Sequence, residues 1–269
     1  MIKMLKEVFG VEKPIIGVVH LLPTPGSPRY RGDGIEHILC RAVGDARALG
    51  GGGIDGIIVE NYGDAPFEPT RVEPQTIAAI ALAVKEVADA VELPIGVNVL
   101  RNDALGAMAI ANVTGARFVR INVYIETMVT DQGIIDAPAH EVLRYKKAQD
   151  ADIKIFADVH VKHAVPLVPR AIDEVALDAT ERGMADALII TGPRTGAGVN
   201  LEDLVKVKGA VPDAPVLAGS GVNATNVLEV LKRCDGAIVG TDLKVKGVTE
   251  NPVDQRRVMG LMEAVRGVR

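Results

Sequence analysis

Glu60, Asp158 and His160 are the residues of this chain best suited to moving protons, and each stands at or just past the end of a β-branched run. A carboxylate or imidazole held in a walled pocket can act as general acid or base near neutral pH. Mixed carboxylate and imidazole donors also suit a divalent ion such as Mg²⁺, Mn²⁺ or Zn²⁺. The same three residues are therefore the candidates for a metal site, and residue type alone does not rank the two roles. Other runs end in polar groups as well: His20, Glu60-Asn61, Asn98 with Arg101, Asn102 and Asp103 beyond it, Arg120 or Asn122, and Thr191. Burying such groups without partners is costly, so their recurrence points to one pocket. His20, Asn98, Arg101, Asn122 and Thr191 are expected to bind substrate there. Lys162 lies beyond its strand end and reads as a solvated lysine rather than a Schiff-base or phosphate lysine. Asp131 and Gln132 fit either a ligand loop or a turn.

Anion binding is written near the C-terminal end. The run 216–219 leads straight into Gly219-Ser220-Gly221, and the next run ends in Gly240-Thr241. Glycines let the backbone approach a ligand closely, with N–H groups free to point at an anion. A helix just beyond, expected at 225–231, would add the favourable end of its dipole. Gly219, Ser220, Gly221, Gly240 and Thr241 are thus the expected phosphate site. A further Gly-rich loop, Thr191-Gly192-Pro193-Arg194-Thr195-Gly196-Ala197-Gly198, offers Thr195 and Gly196 to the same ligand. It is no Walker loop, because no Gly-Lys-Ser/Thr step opens a helix.

These residues need a scaffold that brings strand ends to one place. Eight near-continuous apolar runs, at 15–20, 54–61, 95–99, 118–123, 153–159, 187–191, 216–219 and 236–240, suit parallel strands buried on both faces. Helical spacing appears between them at 35–49, 76–91, 103–113, 172–182, 201–207, 225–231 and 252–265. Eight strand–helix units predict a single (β/α)₈ TIM barrel over residues 1–269, a parallel eight-stranded barrel with outer helices. Two longer connections, 20–34 and 123–138, follow strands and so belong at the C-terminal mouth as lids or ligand loops.

Composition narrows the partners. With 269 residues, 48% hydrophobic, the chain can bury a large core. A net charge of −5 and aromatics at 3% speak against nucleic acid as a partner. Cys40 and Cys234 fit no metal spacing and are expected to be buried small hydrophobes in a reducing cytosol. No run reaches about 18 apolar residues, and residues 1–10 lack a signal-type stretch, so a cytoplasmic protein without a transmembrane segment is expected. A homo-oligomer is expected too, as for many barrels.

Several long motifs resemble the BtpA family. They are Gly17-Val18-Val19-His20-Leu21-Leu22-Pro23, Asp55 to Phe67, Asn98 to Asp103, Thr130-Asp131-Gln132-Gly133, Ala157 to Ala164, and the Gly-Ser-Gly and Val-Gly-Thr turns. The resemblance covers nearly the whole chain. It implies a phosphate-binding TIM barrel and, for cyanobacterial members, a part in photosystem I biogenesis; it carries no catalytic residue over. By a looser analogy, Val59-Glu60-Asn61 with Asp64 to Phe67 is similar to the second-strand region of tryptophan synthase α subunits. There a strand-end glutamate serves as acid/base against a phosphate-tethered substrate. The expected function is that of an enzyme, of lyase or isomerase type, acting on a phosphorylated small molecule. A non-catalytic assembly or biogenesis factor on a barrel scaffold is the alternative.

Overall fold

In the computed structural model, which describes residues 2–192 and 198–268, eight strands close into a parallel barrel. The strands are β1 (Ile15–His20), β2 (Gly56–Glu60), β3 (Ile95–Asn98), β4 (Phe118–Ile121), β5 (Lys154–Val159), β6 (Ala187–Ile190), β7 (Val216–Ala218) and β8 (Gly236–Val239). Each pairs with its sequence neighbours, and β1 pairs with both β2 and β8. All eight were legible as runs of β-branched residues.

The period of two along each strand divides the core into two. Ile15 and Val19, Ile57 and Val59, Val119 and Ile121 face outward into the layer under the helices. Ile16, Val18, Ile58, Phe118, Phe156, Ile189, Leu217 and Ile238 face inward and fill the barrel. The floor of that interior is aromatic. Phe118 stacks on Phe156 with centroids 4.7 Å apart, and Phe9 meets Phe118 edge-on at 5.5 Å. Phe9 comes from α1 (Ile2–Phe9), a helix that the sequence did not announce. With Leu5 and Val8 it plugs the N-terminal end of the barrel. Gly96 makes room for this floor, since a Cβ there would sit 2.2 Å from the Phe118 ring.

Helices α2 (Ile35–Gly51), α3 (Pro74–Ala90), α4 (Ala104–Thr114), α5 (Ala139–Ala148), α6 (Ile172–Glu181), α7 (Leu201–Ala210), α8 (Val227–Leu231) and α9 (Gln255–Val265) surround the barrel. Among them α5 went unread, because it follows directly on the long 123–138 connection. That connection is itself ordered: Met128–Thr130 and Gly133–Ile135 form a hairpin, and Ala164–Pro166 adds a third antiparallel strand. Met128 and Ile135 bury against Val123 and Val161 on its inner face. Cys234 is buried as expected, whereas Cys40 is exposed, because it falls on the outer side of α2. Among the described residues, no helix is long and apolar enough to cross a membrane.

Candidate active site

One step beyond the apolar interior, the same inward-facing positions turn polar. In strand register Val18, Ile58 and Gly96 lie level, and so do His20, Glu60 and Asn98 two residues on. Arg120 follows Phe118 at the next inward position of this polar layer, and because Arg120 pairs with Phe156, Asp158 stands one inward position higher. Barrels place such a layer at the C-terminal mouth. Here it is tied together around Arg120. The Arg120 Nε and Nη2 atoms donate to the two oxygens of Asp158, each at 2.8 Å, and Nη1 donates to Glu60 Oε1 at 3.1 Å. Asn98 Nδ2 also donates to Glu60 Oε1, at 3.1 Å, and Asn122 Nδ2 to Asp158 Oδ2, at 3.2 Å. All five residues are buried. Burial by itself would lower the Arg120 pKa, but the two carboxylates outweigh it and hold the guanidinium above its ordinary range.

This arrangement leaves the two carboxylates in different situations. Both oxygens of Asp158 are occupied. Glu60 Oε2 makes no hydrogen bond among the described residues and faces His20 Nε2 at 3.9 Å. His20 packs against Tyr62 with the rings tilted by 43° (4.7 Å between centroids), and its pKa is pushed well below 6.5 by burial and then by Lys244, Lys162 and Arg120.

Two adjoining cavities open above the layer, of about 200 Å³ and about 250 Å³. Glu60, Tyr62, Arg120 and Lys162 line both. The first is walled by Gly219, Ser220, Gly221, Gly240 and Thr241. Gly221 has φ +65°, a left-handed conformation that favours glycine. Among the described residues the N–H groups of Ser220, Gly221, Val222 and Thr241 have no acceptor. The buried Ser220 Oγ has no partner either. The helix beyond the turn starts at Val227 rather than at 225, because Asn223 first forms an Asx turn with Thr225 and Asn226. The second cavity is lined by Asn98, Arg101, Asn122, Asp131 and Gln132. Among the described residues Asn122 Oδ1 and Arg101 Nε are buried there without hydrogen-bond partners.

Two residues stand elsewhere than their sequence positions suggested, His160 and Lys162. His160 takes φ +50°, leaves the mouth, and faces Glu126 at 3.5 Å in a separate cleft. It does not join Glu60 and Asp158 as a donor set, and Arg120 lies between those two where a cation would sit. Among the described residues no group of three metal-type donors forms. Lys162, read as solvated, turns over the mouth instead. Thr191 holds it from one side, its Oγ1 accepting the Lys162 N–H at 3.0 Å, and Arg101 Nη2 donates to the Lys162 carbonyl at 2.6 Å. Thr191 and Arg101 thus aim another residue. Thr195 and Gly196 lie outside the described residues.

Much of the polar sequence at the strand ends rivets loop to loop. Asp64 accepts from the Thr24 N–H and hydroxyl, at 2.7 and 2.9 Å. The Asn61 amide brackets Leu100 N and O, and the Asn102 amide brackets Val123 N and O. Such paired backbone bonds hold the first four loops in one arrangement. Sequence reasoning missed the central place of Arg120, gave Tyr62 no role, and weighed Lys162 only to read it as solvated. Arg120 shares the inward phase of Phe118, and that alternation was the available signal.

Comparison with known proteins agrees with this architecture. The model of the BtpA family matches residues 11–267. The photosystem I biogenesis protein BtpA of Synechocystis is 44% identical over 259 residues, covering 96% of this chain and 90% of the relative. An uncharacterized protein of Archaeoglobus fulgidus is 47% identical over 257 residues, covering 96% and 100%. Among solved structures, thiamine phosphate pyrophosphorylase from Pyrococcus furiosus superposes with a TM-score of 0.58 at 20% identity, over 95% of this chain and 96% of that one. N-(5'-phosphoribosyl)anthranilate isomerase from the same organism gives 0.57 at 14%, over 95% and 100%. At these identities the structural likeness is one of fold. The family match and the relatives both run nearly end to end, and the chain belongs to the BtpA family.

Proposed function

We propose that this chain is an enzyme acting on a small phosphorylated metabolite, with proton-transfer chemistry of lyase or isomerase type. The observation that carries the reading is that unspent backbone N–H groups after β7 and β8 share one cavity wall with Glu60, Arg120 and Lys162. Phosphate held on the turns would fix the substrate, and its binding energy would position the reacting end over Glu60. Glu60 Oε2 is the acid/base atom, and Asn98 and Arg120 orient it through Oε1. Asp158 positions Arg120. Asn122 and Gln132 face the second cavity, where the rest of the substrate would lie. Two of the structural neighbours carry names that refer to phosphorylated compounds, which fits this reading.

Calorimetric titration with inorganic phosphate and a crystal structure grown in phosphate test it. Binding is expected, with the anion against Gly221 and Thr241 N–H. Gly221→Val should weaken it about tenfold, a change of about 1.4 kcal/mol. An anion bound only elsewhere, with these turns bare, would overturn the assignment.

A second reading, a non-catalytic assembly factor, draws on the name of the Synechocystis relative and on one surface feature. Val129 is register-paired with both Ile134 and Val165, and these three are 42%, 61% and 65% exposed. An apolar row of this kind suits a protein partner or a second copy of the chain. Sedimentation of wild type and Ile134→Asp tests the homo-oligomer version: an association that the variant abolishes supports it, and a wild-type monomer removes it.

A further inference from the structure

We infer that Lys162 is a covalent nucleophile, whose ε-amine forms an imine with the carbonyl carbon of a phosphorylated aldehyde or ketone. This rests on the phosphate-binding reading above and adds the substrate class to it. Lys162 lines both cavities, between the turns after β7 and β8 on one side and Arg101 and Asn122 on the other. Its backbone is gripped on both sides, N–H by Thr191 and carbonyl by Arg101. His160 and His163, at φ +50° and +58°, fold the chain over the mouth around it. A lysine meant only for solvent requires none of this.

The electrostatics point the same way. An amine attacks a carbonyl only when unprotonated. A lysine beside two carboxylates would ordinarily be held as an ammonium, but Arg120 has already taken both. Among the described residues the Lys162 Nζ makes no hydrogen bond or ion pair. Burial, and then the Arg120 charge, push its pKa below the ordinary lysine value, against smaller opposing pulls from Glu60 and Asp158.

The chemistry closes on groups already present. Lys162 Nζ bonds to the carbonyl carbon, and the carbonyl oxygen leaves as water with one proton from the amine and one from solvent, so that a protonated C=N bond, an iminium, remains. A proton on the adjacent carbon then passes to Glu60 Oε2, and its electron pair forms a C=C bond while the C=N pair returns to nitrogen, giving a neutral enamine. Reprotonation elsewhere gives isomerisation; expelling or accepting a β-substituent gives lyase chemistry.

Reductive trapping tests this. The intact protein is incubated with sodium cyanoborohydride and, separately, dihydroxyacetone phosphate, D-glyceraldehyde 3-phosphate and a 6-phosphorylated 2-keto acid, then digested and mapped by mass spectrometry. At least one probe is expected to add its mass less one oxygen atom to Lys162. Excess inorganic phosphate should suppress labelling, and unphosphorylated dihydroxyacetone should label at least tenfold less. Lys162→Arg and Lys162→Met should lose the adduct; thermal melting and phosphate titration of each variant establish that it is folded. No Lys162 adduct with any probe, or labelling spread evenly over surface lysines, would overturn the inference. If phosphate still binds in that case, the phosphate site survives and only the covalent role falls.

Discussion

Arg120 grips Asp158 with two arms of its guanidinium, at 2.8 Å each, and gives its third to Glu60 at 3.1 Å. The three side chains come from β4, β5 and β2 and cross the barrel just above its apolar fill. A guanidinium at this point does what a metal ion would do for two buried carboxylates. It also leaves one oxygen, Glu60 Oε2, unspoken for.

Removing that guanidinium should be costly to the fold. Arg120→Met leaves two buried carboxylates with only the Asn98 and Asn122 amides and no counter-charge, and breaking such a buried ion pair costs about 3–5 kcal/mol. Urea unfolding should show a loss of that size. A change below about 1 kcal/mol would mean that the pair is not structurally coupled.

Glu60→Gln is expected to behave differently. The amide oxygen can keep the Asn98 and Arg120 hydrogen bonds, so folding and phosphate affinity should change little. Exchange of the dihydroxyacetone phosphate α-hydrogens into D₂O, followed by NMR, should slow by about 10²-fold or more. Unchanged exchange, with the variant folded, would remove Glu60 as the proton carrier.

His20 couples stability to pH. Folded, it stays neutral well below 6.5; unfolded, it takes up a proton near that value. The unfolded state therefore binds more protons in the window from 6.5 downward, and stability falls as pH drops through it, until the folded-state value is reached. His160 and His163, also lowered by burial, add to the slope. In denaturant titrations at about pH 7.5 and about pH 5, His20→Gln should lose less stability on acidification than wild type. Equal losses would contradict this.

The two thiols should differ sharply in reactivity. Cys40 is exposed, while Cys234 is buried beside Val230 and Gly236 carbonyls, its pKa raised by burial. A chromogenic disulfide reagent should titrate one thiol in the native protein and the second only after unfolding. Two fast thiols would show that the α8–β8 packing opens readily.

The sequence by itself determined the eight strands, most of the helices, the barrel closure and the Gly-rich turns at 219–221 and 240–241. Those are local signals: β-branched runs, helical spacing, and glycines where the backbone must turn tightly. Alternation along β4 even put Arg120 in phase with Phe118, had it been followed. Only the tertiary structure decided which polar groups touch. Glu60 and Asp158 lie far apart in sequence and are read alike there; barrel closure gives both to one arginine, occupying Asp158 fully and Glu60 by half. Two left-handed residues, His160 and His163, send His160 out of the mouth and Lys162 into it. At residues other than glycine such sign changes of φ are only weakly marked by residue type, and they carry the most consequential difference between the sequence and the site.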